Sequence, residues 1–151
     1  MTLSIREPSP RHVSRLYELI QEHAAFERNT ASLMLAELRR LLLVVPRPIH
    51  FLVAECDSDL LGYAAVTFDW SVWRARRYAY LDCLFVAQAH RGCGVGKRLL
   101  AGAKTIASAE CVDRLEWQTP AWNEDAQRFY VREGAYCQAK SRFSLDLERC
   151  G

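Results

Sequence analysis

The chain has 151 residues, of which 50% are hydrophobic and 25% are charged, and its formal net charge is +2. This length predicts a single globular domain over residues 1–151, and so small a net charge does not by itself indicate a nucleic-acid partner. The longest apolar run, residues 41–45, is too short to span a membrane, and residues 5–8 interrupt any signal-like segment at the N-terminus. We therefore expect a cytoplasmic protein whose partner is neither a membrane nor a nucleic acid.

The predicted elements of the first half of the chain follow from helical periodicity and turn residues. Ser9 and Pro10 are typical of an N-cap and a first helical residue, and this helix is expected to end at about His23. Asn29 and Thr30 can cap a second helix, which two prolines after residue 45 terminate. The predicted strands of this half cover residues 3–5, 51–56 and 60–70. Turn residues at 57–59 join the last two strands into an antiparallel hairpin.

The second half is predicted to alternate strands and helices. Asn123 followed by two acids is typical of a helix start, and Gly134 is typical of a helix end. The predicted elements are, in order, a strand at 78–86, a helix at about 94–108, a strand at 114–119, a helix at 123–134, and strands at 136–140 and 142–147. This order predicts an α/β fold with a mixed, mostly antiparallel sheet, helices on both faces and a central, right-handed parallel strand-helix-strand unit.

The cysteines and histidines do not form a recognisable disulfide or metal pattern. None of the six cysteines belongs to a Cys-x-x-Cys pair, and the four histidines lack a His-x-x-x-His spacing. Several cysteines lie in apolar runs, where free thiols are commonly buried. We expect reduced, mostly packed cysteines and no metal site.

A glycine turn, residues 91–96 with the sequence Arg-Gly-Cys-Gly-Val-Gly, lies between the strand at 78–86 and the next helix. Glycine lacks a Cβ, so its N–H groups can approach a ligand closely, and a helix N-terminus attracts anions. The turn therefore predicts a phosphate-bearing ligand held by the main chain. A P-loop is excluded because Arg91 occupies its first glycine position and Arg98 its Ser/Thr position. A dinucleotide fingerprint is excluded because Lys97 replaces its third glycine.

Three arginines, Arg74, Arg76 and Arg77, follow two tryptophans, Trp70 and Trp73. Basic residues interleaved with aromatic ones can bind nucleic acid. The same residues are also compatible with a solvated loop between strands or with the rim of a substrate mouth. The rim interpretation makes Trp73 a candidate substrate-binding residue.

Four stretches together resemble the GNAT N-acetyltransferases, and among them the diamine and thialysine (spermidine/spermine-like) acetyltransferase branch. They are residues 19–27 at the end of the first helix, residues 80–86 before the glycine turn, the turn itself, and residues 122–135 with Trp-Asn-Glu and Phe-Tyr-Val-Arg-Glu-Gly-Ala. The resemblance covers essentially the whole chain. It implies a GNAT fold, acetyl-CoA as cosubstrate, a homodimer, and direct attack of a small primary amine on acetyl-CoA in a ternary complex.

The resemblance also implies a cofactor site. N–H groups of the strand before the turn would stabilise the thioester oxygen, and the turn would bind the pyrophosphate. The implied cofactor-binding residues are Leu84, Phe85, Val86, Arg91, Gly92, Cys93, Gly94, Val95, Gly96, Lys97, Asn123 and Tyr130. Asn123 is expected to contact the cofactor, to cap its helix, or both.

Two catalytic residues are implied by the same resemblance. Tyr130 matches the family's tyrosine and is expected to protonate the departing CoA thiolate, with plain packing as the alternative. Asp82 stands where the branch has Glu and is a candidate base, directly or through a water, with an ordinary strand carboxylate as the alternative. Asp82 and Glu27 are also expected to bind substrate. Glu27 would contact the far amine, unless it forms an exposed pair with Arg28.

Two departures from the branch bear on the acceptor. Ala126 replaces a serine that contacts the cofactor, and Cys83 replaces an acidic residue. A polyamine should prefer a more acidic mouth, so an amine that also carries a carboxylate, such as a lysine-like amino acid, fits the local charge better than a diamine or polyamine. The alternatives are a protein lysine or N-terminal acetyltransferase and a noncatalytic acyl-CoA-binding module.

Overall fold

The structure, a computed structural model, describes residues 2–150. Its elements fall into two units, the first ending at Gln118 and the second beginning at Thr119. The first unit contains β1 (Leu3–Arg6), α1 (Val13–Phe26), α2 (Leu35–Leu43), β2 (His50–Cys56), β3 (Asp59–Ser71), β4 (Arg76–Val86), α3 (Val95–Ala109) and β5 (Leu115–Glu116). The second unit contains α4 (Glu124–Arg132). Among the described residues, no helix combines the length and apolarity needed to cross a membrane.

The strands of the first unit form one five-stranded sheet in the order β1-β2-β3-β4-β5. Neighbouring strands are antiparallel from β1 to β4. Helix α3 then returns the chain, so that β5 runs parallel to β4, with Ala79 opposite Leu115. This topology confirms the predicted mixed sheet and its parallel strand-helix-strand unit.

Helices cover both faces of this sheet, as predicted. Phe51 and Val53 of β2 lie in one buried cluster with Leu16 of α1. Successive strand residues point to opposite faces, so Leu52 lies on the other side. There a Cβ on Gly102 of α3 would be 2.8 Å from Leu52 Cδ1. Burial on both faces explains why β2 is apolar over most of its length.

Gly62 allows β3, β4 and α3 to approach one another closely. A Cβ at this position would lie 2.5 Å from the Phe85 carbonyl oxygen and 3.3 Å from Leu99 Cδ1. Because the nearer atom belongs to the backbone, Gly62→Ala must displace β4. We expect the variant to lose about 1–3 kcal/mol of unfolding free energy in urea titrations.

A matched control for this prediction is Gly102→Ala. Its nearest neighbour is the flexible end of the Leu52 side chain, and alanine is favoured over glycine in a helix by about 1 kcal/mol. The control should therefore lose clearly less stability than Gly62→Ala. Equal losses for the two variants would contradict the close-approach account.

Several predicted boundaries in the first half are wrong. Helix α1 continues beyond His23, and α2 begins at Leu35 rather than after Asn29. The Asn29 side chain instead accepts a hydrogen bond from the next residue's N–H, and the Glu37 carboxylate accepts one from the Met34 N–H at 2.7 Å. Glu37, in the first turn of α2, thus caps the start of the helix. Its hydrogen bond to the N-cap N–H is one of the two that make up a capping box.

The two strands predicted over 136–140 and 142–147 are not formed in the described part of the second unit. A strand requires a hydrogen-bonded neighbour, and residues 119–150 contain no other strand to supply one. The alternating Phe143, Leu145 and Leu147 are 91%, 84% and 80% exposed. In the first unit, β5 is likewise shorter than the predicted 114–119. Alternation shows which side chains a strand could bury, but not whether a neighbouring strand is present.

Candidate active site

A β-bulge interrupts β4 at Asp82. Ala65 of β3 lies opposite Cys83, whereas Val66 lies opposite Leu81, so Asp82 is the extra residue. Adjacent side chains of a regular strand point to opposite faces, but here Cys83 Sγ lies 3.5 Å from Asp82 Oδ2. The bulge therefore presents the exposed Asp82 carboxylate and the Cys83 thiol together.

The outer edge of β4 is open along its second half in the described part of the first unit. Strand β5 pairs with β4 through only two residues, although β4 continues to Val86. The Ala87 N–H donates to the carbonyl of Leu61 in β3 at 2.8 Å. Strand alternation therefore directs the N–H groups of Val86 and Leu84 the other way, toward the open edge. Such main-chain donors can stabilise a developing oxyanion.

The glycine turn has the backbone conformation that the sequence indicated. Gly92 and Gly94 have φ angles of 78° and 81°, and Gly94 is the N-cap of α3. L side chains rarely adopt such left-handed values. The Arg98 N–H donates to the Gly94 carbonyl at 3.2 Å, which leaves the N–H groups of residues 95–97 at the positive end of the helix. The turn thus provides donors and a dipole for an anion.

Arg91 connects the glycine turn to α1 and β4. Its Nε donates to the Val86 carbonyl at 2.9 Å. Its guanidinium carbon lies 4.5 Å from the ring centroid of Phe26 and 5.3 Å from that of Phe85. These cation–π contacts keep a positive charge beside the turn.

A chain of polar side chains links Asp82 with Glu27. The Cys83 thiol donates a hydrogen bond to Asp82 Oδ2 at 3.5 Å, and the buried Tyr63 lies close enough to Cys83 for each to shift the pKa of the other. The Tyr63 hydroxyl lies 2.7 Å from His23 Nδ1. His23 Nε2 in turn lies 2.7 Å from Glu27 Oε2. The chain, here named the polar chain, brings together two predicted substrate-binding acids through residues of β4, β3 and α1.

Burial keeps the middle of the polar chain protonated. Burial raises the pKa of the Cys83 thiol to about 12, and the charge of Asp82 adds to the rise. Burial also raises the pKa of the Tyr63 hydroxyl, with smaller contributions from Cys83, Asp82 and Glu27. Cys83 is therefore a neutral thiol at pH 7 and brings no negative charge to the position where the resembled branch has an acid.

The arginine and tryptophan segment lies at the opposite end of α3 from the glycine turn. Each arginine pairs with a carboxylate: Arg74 with Asp113 at 2.5 Å, Arg76 with Asp113 at 2.9 Å, and Arg77 with Glu110 at 3.5 Å. These acids follow α3, whose length separates them from its N-terminus by about 22 Å. Trp73 is 96% exposed in the turn between β3 and β4, and its role in substrate binding stays a prediction. The charge-compensated arginines favour a surface loop.

Asn123 and Tyr130 belong to the second unit. Asn123 Oδ1 accepts a hydrogen bond from the Ala126 N–H at 3.2 Å, which confirms the predicted cap of α4. Gly134 has a φ of 96° after the last turn of α4, as predicted for a helix end. Cofactor contacts of Asn123 and Tyr130, and proton donation by Tyr130, stay predictions.

Sequence reasoning missed Tyr63 and the connecting position of His23. Tyr63 stands in the apolar run Leu-Leu-Gly-Tyr-Ala-Ala-Val, and a buried phenol usually finds a hydrogen-bond partner. That signal could have indicated a buried polar contact. It could not have identified the partner, because His23 lies 40 residues away in the sequence.

Comparison with known proteins identifies the family. The sequence profile described as "Acetyltransferase (GNAT) family" matches residues 13–135. Thialysine N-epsilon-acetyltransferase from Bos taurus is 27% identical over 141 residues, covering 87% of this chain and 82% of the relative. Aminoalkylphosphonate N-acetyltransferase from Salmonella typhimurium is 29% identical over 99 residues, covering 66% of this chain and 64% of the relative.

A solved structure shares the fold. The structure of AAC(6')-Iy in complex with the bisubstrate analogue CoA-S-monomethyl-acetylneamine has a TM-score of 0.78 at 18% identity, covering 99% of this chain and 100% of that chain. The family match covers most of the sequence, including the glycine turn and the strand before it. This chain therefore belongs to the acetyltransferase (GNAT) family, the N-acetyltransferases that take their acetyl group from acetyl-CoA.

Proposed function

We propose that the chain acetylates the primary amine of a small molecule that also carries an acidic group, such as a lysine-like amino acid. The observation that carries this proposal is the open edge of β4, which lies between the Asp82 bulge and the glycine turn. One stretch of the chain thus carries, in order, a carboxylate for the amine, N–H donors for the thioester oxygen and N–H donors for the diphosphate.

The amine must lose a proton before it attacks. A primary ammonium has a pKa near 10.4, so neutralising it at pH 7 costs about 4–5 kcal/mol. Asp82, in the bulge, accepts this proton directly or through a water. The nitrogen then forms a bond to the thioester carbon, and the N–H groups of Leu84 and Val86 stabilise the oxyanion. The C–S bond breaks, and Tyr130 protonates the CoA thiolate.

The charges around the bulge support an acceptor whose net positive charge is lower than that of a polyamine. Glu27 and Asp82 are the acids of the polar chain, and Cys83 between them is a neutral thiol. Arg74 and Arg77 do not contribute to this choice, because each is paired with a carboxylate. The names of two relatives, thialysine and aminoalkylphosphonate acetyltransferases, describe amines that carry an acidic group.

Thiol release from acetyl-CoA tests the acceptor class. We expect kcat/KM for thialysine, lysine or an aminoalkylphosphonate to exceed that for spermidine or a lysine-containing peptide by about tenfold or more. Turnover of polyamines alone would refute the acidic acceptor, and preferential turnover of the peptide would indicate a protein acetyltransferase. CoA binding without release of thiol from any mixture would indicate a noncatalytic acyl-CoA-binding module.

Glu27→Gln is expected to raise the KM for the amine about tenfold, because one charge-assisted hydrogen bond to an ammonium is lost. The Kd for CoA, measured by calorimetry, should not change. Glu18→Gln is the matched control, since it removes the same charge from an exposed position of α1 that pairs with Arg15. A KM that rises equally in both variants would show that the net charge of α1, rather than Glu27 itself, attracts the amine.

We also propose, from the resemblance to the diamine and thialysine branch, that the enzyme is a cytoplasmic homodimer. The dimer is tested by light scattering on the purified chain at micromolar concentration. A mass of one chain across the accessible concentration range would refute it.

A further inference from the structure

We propose that His23 and Tyr63 are positioning residues, which hold the Glu27 carboxylate in place to bind the second, unreacting ammonium group of the acceptor. The inference rests on the proposed function, in which the reacting amine lies against Asp82 and the far amine against Glu27. It adds two residues that act through Glu27. Both contacts are direct, because the Tyr63 hydroxyl lies 2.7 Å from His23 Nδ1, and His23 Nε2 lies 2.7 Å from Glu27 Oε2.

Glu27 needs such support because of its place at the end of α1. It is the C-cap, one residue beyond the last helical residue, and its side chain is 36% exposed. Helix ends fray, and the negative end of the helix dipole disfavours a carboxylate there. An exposed glutamate also samples several rotamers and must give up that freedom to bind a ligand. A carboxylate that is already held binds the ammonium without this loss.

The His23 ring is itself fixed by residues of the sheet. It stacks on Phe85 of β4, with the ring centroids 5.0 Å apart, and makes an edge contact with Tyr63 of β3 at 5.7 Å. Phe85 belongs to the stretch of β4 that borders the open edge. His23 and Glu27 are four residues apart and therefore share one face of the helix end. The ring thus sets the place of the carboxylate relative to β4 as well as to α1.

The direction of the two hydrogen bonds follows from the groups that make them. A carboxylate only accepts, so the contact with Glu27 requires a proton on His23 Nε2. In the neutral imidazole Nδ1 then accepts, and the Tyr63 hydroxyl donates to it. Tyr63 is 1% exposed, so its hydroxyl cannot turn to solvent instead. The buried phenol thus keeps the Nε2 proton directed at Oε2, and the second oxygen, Oε1, accepts from the ammonium.

His23→Leu tests the inference with two amines in the thiol-release assay at saturating acetyl-CoA. For lysine, which carries a second ammonium group, we expect the KM to rise about five- to tenfold at constant kcat, because binding must now immobilise the Glu27 side chain. For butylamine, which has no second ammonium, KM and kcat should match the wild type. Equal changes for the two amines would overturn the inference.

Two milder variants test the hydrogen bonds themselves. In His23→Gln the side-chain amide can still donate to Glu27, so the KM for lysine should stay within about twofold of the wild type. Tyr63→Phe keeps the ring contact but loses the hydroxyl that orients the imidazole, and the KM should rise about threefold. A KM in His23→Gln as high as in His23→Leu, or an unchanged KM in Tyr63→Phe, would overturn the assignment of that residue.

A double-mutant cycle shows whether His23 acts through Glu27. In the Glu27→Gln background, His23→Leu should cause no further rise in the KM for lysine, because no carboxylate remains to be held. A histidine that only supports the fold would raise the KM by the same factor in both backgrounds. Additive effects would therefore overturn the positioning role.

His12→Leu is the matched control for folding. His12 is 3% exposed, and its Nε2 lies 3.5 Å from Glu55. It precedes His23 by eleven residues, or about 16 Å along the helix axis. The control should lose stability in urea titrations and keep the wild-type KM for lysine. If it raised this KM as much as His23→Leu does, lost stability would explain both results and the inference would fail.

The wild type and Glu27→Gln separate this inference from the proposed function. If the wild type releases no thiol with any amine, the acetyltransferase function fails, and the inference fails with it. If the wild type turns over lysine and Glu27→Gln leaves its KM unchanged, only the roles of Glu27 and its positioning residues fail. If Glu27→Gln raises the KM and His23→Leu does not, the positioning role alone fails.

Discussion

Gly94→Val is expected to raise the Kd for CoA about 100-fold or more in calorimetric titrations. Gly94 has a φ of 81° at the N-cap of α3, and a β-branched residue cannot hold that conformation without strain. A valine would rotate the turn and redirect the N–H groups of residues 95–97. Two lost charge-assisted hydrogen bonds to a diphosphate correspond to about 3–6 kcal/mol, or a factor of about 100 or more in affinity.

Gly134→Val separates this effect from strain alone. Gly134 also has a left-handed φ, 96°, and a Cβ at either glycine would meet no atom within 4 Å. Both variants should therefore lose a similar amount of stability in urea unfolding. CoA affinity should fall only in Gly94→Val. If the two variants bind CoA equally well, the glycine turn is not the diphosphate site.

The glycine turn could be predicted from the sequence because its requirement is local. A left-handed backbone conformation at a helix N-cap favours glycine, and the sequence has glycines at positions 92 and 94, immediately before the predicted helix. The same reasoning located the caps of α4, where Asn123 and Gly134 act on neighbouring backbone groups. The parallel strand-helix-strand unit followed from the order of elements and the handedness of such crossovers.

Features that depend on distant partners could not be predicted in the same way. The bulge at Asp82 is defined by the register of β4 against β3, and nothing within β4 alone specifies that register. The contact between His23 and Tyr63 joins α1 to β3 across 40 residues. The alternation of Phe143 and Leu145 was misleading for the converse reason, since a strand pattern forms a strand only beside a second strand.

Asp82→Asn is expected to lower kcat/KM for an alkyl amine about 100-fold at pH 7, with the Kd for CoA unchanged. The amide keeps the size of the carboxylate and its place in the bulge, but it cannot accept the amine proton. General-base catalysis commonly contributes factors of about 10²–10⁴, and the lower end suits a site that retains its oxyanion donors and bound cosubstrate. Asp69→Asn, which removes an exposed carboxylate of β3, should leave kcat/KM unchanged.

The pH dependence of this loss distinguishes a base from a carboxylate that only attracts the ammonium. Without a base, the variant must use the neutral amine in solution, which is about one part in 2,500 at pH 7 for a pKa near 10.4 and increases about tenfold per pH unit. The deficit of Asp82→Asn should therefore shrink by about 100-fold between pH 7 and pH 9 and nearly vanish. A carboxylate that only binds the ammonium would leave the deficit constant over this range, because the ammonium remains the main species. A constant deficit would therefore assign Asp82 to substrate binding and require another proton acceptor.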